Sequence, residues 1–237
     1  MPSIHPTASS DIVFISPNFK GVSREWFNPD YWEQEGKLLH TATGRGTVWF
    51  VDTPTTRAVL RKYRRGGMIG KFNQYKFLSQ PLQSSRAYLE LSLLEHMQHL
   101  ALPVPKPIGG MVRRAGLFYE AWLLTEVIPD ASDLYDILQH TSLDEALWRK
   151  IGKTIKRFHA NGIDHSDLNC HNIMLDQDKK VWLIDFDKCH QRIPAIKWQQ
   201  KNIDRLKRSF NKELLKHPEF AFDETTWNWL LDGYKNG

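Results

Sequence analysis

The residues best placed to do chemistry fall in His165-Ser166-Asp167-Leu168-Asn169-Cys170-His171-Asn172 and, further on, in Leu183-Ile184-Asp185-Phe186-Asp187. Asp167 and Asn172 are separated by four residues, the spacing of the kinase catalytic loop H-x-D-L-x-x-x-N. Asp185 opens a stretch close to D-F-G. These types suit phosphoryl transfer, which asks a protein for positioning and charge rather than covalent chemistry. In that scheme Asp167 orients and deprotonates an attacking hydroxyl. Asp185 and the amide oxygen of Asn172 supply ligands for magnesium, a hard cation that prefers oxygen.

An isolated Asp-x-x-x-x-Asn is common, so the surrounding elements decide its weight. Val181-Trp182-Leu183-Ile184 reads as a short buried strand ending at Asp185, residues 176–180 as a turn, and Ile173-Met174-Leu175 as the partner strand. The resulting hairpin presents Asn172 and Asp185 side by side. Upstream, Ser142-Leu143-Asp144-Glu145 reads as a capping box. Leu147, Ile151, Ile155 and Phe158 then recur at helical spacing, until Asn161-Gly162 stops the helix. That helix brings the chain to His165 from a buried support. His159, also on it, reads as a packing or surface histidine.

A phosphate cover is offered by Thr43-Gly44-Arg45-Gly46-Thr47-Val48-Trp49-Phe50-Val51. Gly44 and Gly46 let the backbone approach phosphate, and Val51 falls at the valine of G-x-G-x-x-G-x-V. Trp49 replaces the third glycine, and without the downstream motif an ordinary hairpin explains the stretch equally well. Gly70-Lys71 is followed by Phe72 and makes no Walker A sequence. Ala58-Val59-Leu60-Arg61 occupies the place of a V-A-I-K strand with arginine for lysine. Alternation puts Val59 against a base and Arg61 toward phosphates, with Lys62 the alternative. Arginine binds phosphate bidentately, but its shape is not that of lysine.

A helix over residues 85–99 follows, with Leu89, Leu93, Leu94 and Met97 as its apolar side and Glu90 as the partner of Arg61. Residues 102–107 break it and start a strand. Residues 117–127 read as a long strand, Ile128-Pro129-Asp130 as a connector between lobes, and backbone groups from Glu126 to Ile128 as the adenine contact. The first dozen residues read as a loose or strand-adding terminus.

At 237 residues the chain fits one large domain or two intimate lobes. A hydrophobic fraction of 41% and a charged fraction of 25% are those of an ordinary globular protein. Two cysteines, Cys170 and Cys189, make no disulfide framework. No secretory signal is visible and no apolar run reaches membrane-spanning length, so a reduced, cytoplasmic protein is expected. No C-x-x-C or H-E-x-x-H spacing supports zinc.

The net charge of +5 is matched by a single stretch. Lys197, Lys201, Arg205, Lys207, Arg208, Lys212 and Lys216 stand there against Asp204 and Glu213. Ile203, Leu206, Phe210 and Leu214 run through it as an apolar stripe, so it is a basic amphipathic helix. A solvated helix face, an anionic membrane or a phosphorylated substrate would each suit it. A second cluster, Arg61-Lys62-Tyr63-Arg64-Arg65-Gly66-Gly67, borders the proposed nucleotide site. No nucleic-acid module is present.

Nearly the whole chain resembles the lipopolysaccharide core kinases, and within them the family of 3-deoxy-D-manno-octulosonic acid (Kdo) kinases. The resemblance rests on Gly44-Arg45-Gly46, Leu60-Arg61 with Tyr63 and Arg65-Gly66-Gly67, Leu102-Pro103-Val104-Pro105-Lys106-Pro107-Ile108, Asp167-Leu168-Asn169 with His171-Asn172, Asp185-Phe186-Asp187-Lys188-Cys189, and Arg205-Leu206-Lys207-Arg208-Ser209-Phe210. It implies an α+β, protein-kinase-like two-lobed fold in a single domain, 1–237. The mainly β small lobe would take residues 1–127, and the mainly α large lobe residues 128–237.

It further implies ATP and Mg2+ as cofactors, and the 4-hydroxyl of Kdo on Kdo-lipid IVA, a lipid A precursor, as acceptor. The work would be done peripherally on the anionic cytoplasmic face of the inner membrane, with no protein partner implied. Arg61 replaces lysine, Asp187 replaces the glycine of D-F-G, and no A-P-E segment follows, which argues against a protein substrate. Asp187 is a candidate for a second metal. The rival readings are a kinase of another hydroxyl, such as a heptose or an aminoglycoside, and a non-catalytic nucleotide-binding scaffold.

Overall fold

The computed structural model describes residues 2–6, 11–43, 47–64 and 75–237. Helix and strand are both well represented, making the chain α+β, and it divides into two compact units. The first comprises Met1–His96 with Pro105–Val127, and the second Met97–Val104 with Ile128–Gly237.

The first unit is built on an antiparallel sheet. Its strands are β1 (Ser3–Pro6), β2 (Asp11–Ile15), β3 (Leu38–Thr43), β4 (Thr47–Asp52), β5 (Arg57–Lys62), β6 (Phe77–Leu78), β7 (Pro107–Ala115) and β8 (Phe118–Glu126). The spatial order is β1-β2-β7-β8-β5-β4-β3, with β6 also on β8. The N-terminal residues therefore add an edge strand. Alternation along the strands turns Val13, Ile15, Val51, Ala58, Leu60, Met111, Trp122 and Leu124 to one face, where they pack with Trp26, Phe27 and Trp32. Helix α1 (Pro29–Gln34) brings Trp32 there, capped by Asn28, whose side chain accepts from the Asp30 amide.

Helix α2 (Arg86–His99) buries Ala87, Glu90, Leu91, Leu94 and Met97. Leu89 is 54% exposed, so the apolar side is phased around Leu91 rather than Leu89.

The second unit holds four longer helices among its described residues: α3 (Leu134–His140), α4 (Glu145–Ala160), α5 (Ile196–Lys216) and α6 (Glu224–Asn236). Its short strands are β9 (Ser132–Asp133), β10 (Ile163–Asp164), β11 (Ile173–Leu175), β12 (Val181–Leu183) and β13 (His190–Gln191). Leu147, Ile151, Ile155 and Phe158 form the buried stripe of α4. The cap of this helix is Asp144, which accepts from the Leu147 amide at 2.8 Å, and not Ser142. Asp and Ser cap equally well, and the residue that starts the buried stripe in phase takes the position.

Helix α6 crosses α4 at two glycines. A Cβ on Gly152 would lie 2.0 Å from the Leu230 carbonyl oxygen, and one on Gly233 2.0 Å from that of Arg149. Only hydrogen fits at either point, and the terminal helix is locked beneath the stretch that leads to His165.

Candidate active site

Helix α4 ends at Ala160, and Gly162, with φ of 77°, turns the chain into β10. The loop that follows is held from below by His165, a 2% exposed side chain. An amide can only donate, so the Asp167 N–H, 3.3 Å from Nδ1 of His165, fixes that nitrogen as acceptor. Nε2 therefore carries the proton and donates to the Ile184 carbonyl at 2.9 Å. Burial lowers the His165 pKa, which keeps this single neutral tautomer in place. One imidazole thus ties the backbone of Asp167 to the residue before Asp185.

The Asp167 carbonyl accepts from Nδ2 of Asn169 at 2.8 Å and from Nδ2 of Asn172 at 2.9 Å. The second bond directs the Asn172 amide nitrogen inward and leaves its Oδ1 without a hydrogen bond among the described residues. The β11–β12 hairpin pairs Ile173 with Leu183, and the Ile184 amide donates to the Asn172 carbonyl at 3.1 Å. Asn172 is thereby brought level with the end of the strand that delivers Asp185.

Asp185 has φ of 60°, in the left-handed region that aspartate enters more readily than most residues with a Cβ. Phe186 anchors the turn. It is 1% exposed, with its ring 4.9 Å from that of His165 and 6.0 Å from that of Phe158. The Asp187 carbonyl accepts from Ser166 Oγ at 3.1 Å, a further clasp between the two segments.

A second layer of polar contacts supports the loop. Oδ1 of Asn202, on α5, accepts from the His165 amide at 3.0 Å, and its Nδ2 donates to Asp164 at 2.9 Å. Asn202 also meets Nε2 of His159 at 3.3 Å, while Nδ1 of His159 lies 2.7 Å from the Tyr234 hydroxyl. Burial pushes the His159 pKa down to about 4.

In the first unit, Arg61 Nη2 lies 2.6 Å from both carboxylate oxygens of Glu90. The Tyr63 hydroxyl donates to Glu90 Oε2, also at 2.6 Å. Glu90 is 3% exposed and is satisfied by a cation and a phenol together. Lys62 points to the other face, bonded to Glu120 at 3.0 Å and lying over Trp122.

Register corrects one expectation. Phe50 pairs with Val59 and Val48 with Arg61, whereas Val51 pairs with Ala58. Residues paired across strands share a face, so Val51 is buried in the core and does not line a surface with Val59. Phe50 takes that place. The Glu126 and Val127 amides are committed to the Lys106 and Arg57 carbonyls, at 2.8 and 2.9 Å, so neither is available to a base. Gly44 and Gly46, with Arg65-Gly66-Gly67, lie outside the described residues.

Sequence reasoning gave no role to Tyr63 or Asn202. Asn202 had a signal, a carboxamide inside the apolar stripe of α5 between Trp198 and Leu206. Tyr63 had one as well, its place two residues after Arg61 and on the same strand side, from which its hydroxyl reaches the same Glu90.

Oxygen donors held on a rigid frame are what phosphoryl transfer to an alcohol requires, and the chain is a phosphotransferase of that class. Residues 29–234 match the model of the lipopolysaccharide kinase (Kdo/WaaP) family, and the chain belongs to that family. It is 47% identical over 207 residues to the 3-deoxy-D-manno-octulosonic acid kinase of Vibrio cholerae serotype O1, covering 87% of this chain and 84% of the relative. The enzyme of the same name from Vibrio vulnificus (strain CMCP6) is 44% identical over 210 residues, 89% and 88% of the two chains. That of Photobacterium profundum is 41% identical over 224 residues, 94% of each.

Proposed function

We propose that this chain transfers the γ-phosphate of ATP to the 4-hydroxyl of Kdo on Kdo-lipid IVA, in assembly of the lipopolysaccharide inner core. The observation that carries the reading is the His165 clasp, which holds Asp167 and the approach to Asp185 as one unit. The relatives, named for Kdo, supply the acceptor. A mainly strand unit and a mainly helical unit support a protein-kinase-like, two-lobed architecture.

Asp167 orients the acceptor hydroxyl and takes its proton. Arg61, squared by Glu90, binds phosphate oxygens of ATP. Val59 meets the base, together with carbonyl groups near Glu126. Asn172 Oδ1 and the Asp185 carboxylate fit Mg2+, which is held by one or two carboxylates plus substrate phosphates rather than by a protein cage. When bound, the ion would neutralise charge on the transferring group. Asp187 is a candidate for a second one.

Work at the cytoplasmic face of the inner membrane, without a spanning helix, is supported by α5 and by the segment before it. No helix among the described residues is long and apolar enough to cross a membrane. Ile193 and Ile196 are 87% and 84% exposed between Arg192 and Lys197, apolar tips flanked by cations that suit an anionic bilayer.

Incubation with radiolabelled ATP and an acceptor panel tests the reading. Label is expected on Kdo-lipid IVA and not on heptose or aminoglycoside acceptors. Label on one of those instead would move the function, and ATP binding without transfer to any acceptor would leave a scaffold.

A further inference from the structure

We infer that Arg205 is the residue that recognises the acid group of the acceptor, holding its carboxylate so that the target hydroxyl sits at Asp167. The inference deepens the function proposed above and rests on it.

Arg205 lies on the exposed side of α5, with Nη1 3.6 Å from Asp167 Oδ1. That separation is an ion pair too long for a hydrogen bond. Three other arginines of the same unit are engaged more closely, Arg149 donating to Glu145 at 2.7 Å, Arg192 to Asp164 at 2.8 Å and Arg157 to the Ala101 carbonyl at 3.1 Å. What sets Arg205 apart from the exposed Arg208 on the same helix is its place beside Asp167. The Arg205 guanidinium makes no hydrogen bond among the described residues. A planar fork of five N–H donors beside the reacting carboxylate is therefore open to an incoming anion, and that fork matches a carboxylate bidentately.

The setting makes the fork usable. Arg205 and Asp167 are 48% and 42% exposed, so both are open to a ligand from solution. The Asp167 backbone is pinned by His165, Asn169 and Asn172, so an arriving anion can draw the guanidinium away without moving the base. Helix α5 is itself fixed, since Trp198, Asn202, Leu206 and Phe210 are buried and Asn202 bonds the loop directly. One sugar ring can touch both side chains. A surface pair of this length adds little to stability, which leaves recognition as the role for the arginine. The acceptor that the relatives' name prints is an acid, and an acid sugar carries the carboxylate this fork would bind. A neutral sugar does not.

The test compares wild type, Arg205→Gln and Arg205→Lys on a Kdo-bearing glycolipid and on the same glycolipid with the Kdo carboxylate as its methyl ester. Arg205→Gln is expected to raise the KM for the free acid about 10- to 100-fold, with the KM for ATP and the melting temperature unchanged. Wild type is expected to lose the same factor on the ester, and Arg205→Gln to lose nothing further there, because the two changes remove one interaction. Arg205→Lys keeps the charge without the fork and is expected to recover part of the loss. If Arg205→Gln prefers acid over ester as strongly as wild type does, the inference is overturned while the proposed function stands. If wild type phosphorylates neither acceptor, the proposed function falls and takes the inference with it.

Discussion

His165 and Ile184 are joined by a 2.9 Å bond from the imidazole Nε2 to the backbone carbonyl, and the other ring nitrogen accepts from Asp167. A buried, neutral imidazole thus sets the distance between Asp167, the proposed base, and the strand end that carries Asp185. His165→Phe keeps the bulk and removes both bonds, leaving the half-buried Asp167 N–H and Ile184 C=O short of partners. Each is expected to cost roughly 1–3 kcal/mol of stability. Misplacement of the base is expected to cost about 100-fold in turnover. Chemical denaturation together with steady-state kinetics checks both, and unchanged turnover would remove His165 from the positioning role.

Glu90 offers a sharper contrast. It accepts from Arg61 and Tyr63 in a nearly closed environment, and desolvation beside that carboxylate raises the Tyr63 pKa well above its usual value. Glu90→Ala removes the acceptor shared by Arg61 and Tyr63 and is expected to destabilise the first unit by about 3 kcal/mol and to weaken ATP binding. Glu90→Gln keeps the hydrogen bonds without the charge and is expected to fall between. Thermal melting and nucleotide titration of the two variants check the order.

The pH dependence of stability follows from His159. Its folded pKa of about 4 lies below the usual 6.5, so the unfolded chain binds the extra proton first as pH falls. The stability from burying the neutral ring is complete above pH 6.5 and is lost progressively between pH 6.5 and 4. The loss is of order 3 kcal/mol. His159→Gln should flatten the fall of the melting temperature across that window, and an equally steep profile in the variant would assign the titration elsewhere.

Gly152→Ala sets two effects against each other. Alanine favours a helix interior over glycine by about 1 kcal/mol. Its Cβ, however, would meet the Leu230 carbonyl oxygen at 2.0 Å, and overpacking of this kind costs about 1–3 kcal/mol or more. Backbone cannot swing aside as a flexible side chain can, so the clash is expected to win. The melting temperature should fall, and a rise would mean that α6 can slide.

What the sequence made legible was local. The loop, the hairpin after it and the buried stripe of α4 depend on spacing within a few residues, and spacing is visible in a string of letters. What it hid depended on registration between distant segments. Val51 and Val59 are both odd-numbered, yet the hairpin pairs 51 with 58 and so turns them to opposite faces. Only the turn decides that. The phase of α2 around Leu91, the cap at Asp144 in place of Ser142, and the grip of Asn202 on the His165 amide were each settled by the surface against which the element packs.

Asp167→Asn is the most direct trial of the account, because it keeps the shape and the backbone bonds and removes the carboxylate. With Kdo-lipid IVA as acceptor, turnover is expected to fall about 100- to 10,000-fold while ATP binds as it does to wild type. Turnover close to wild type would contradict the account, since no other group has been given the proton of the acceptor.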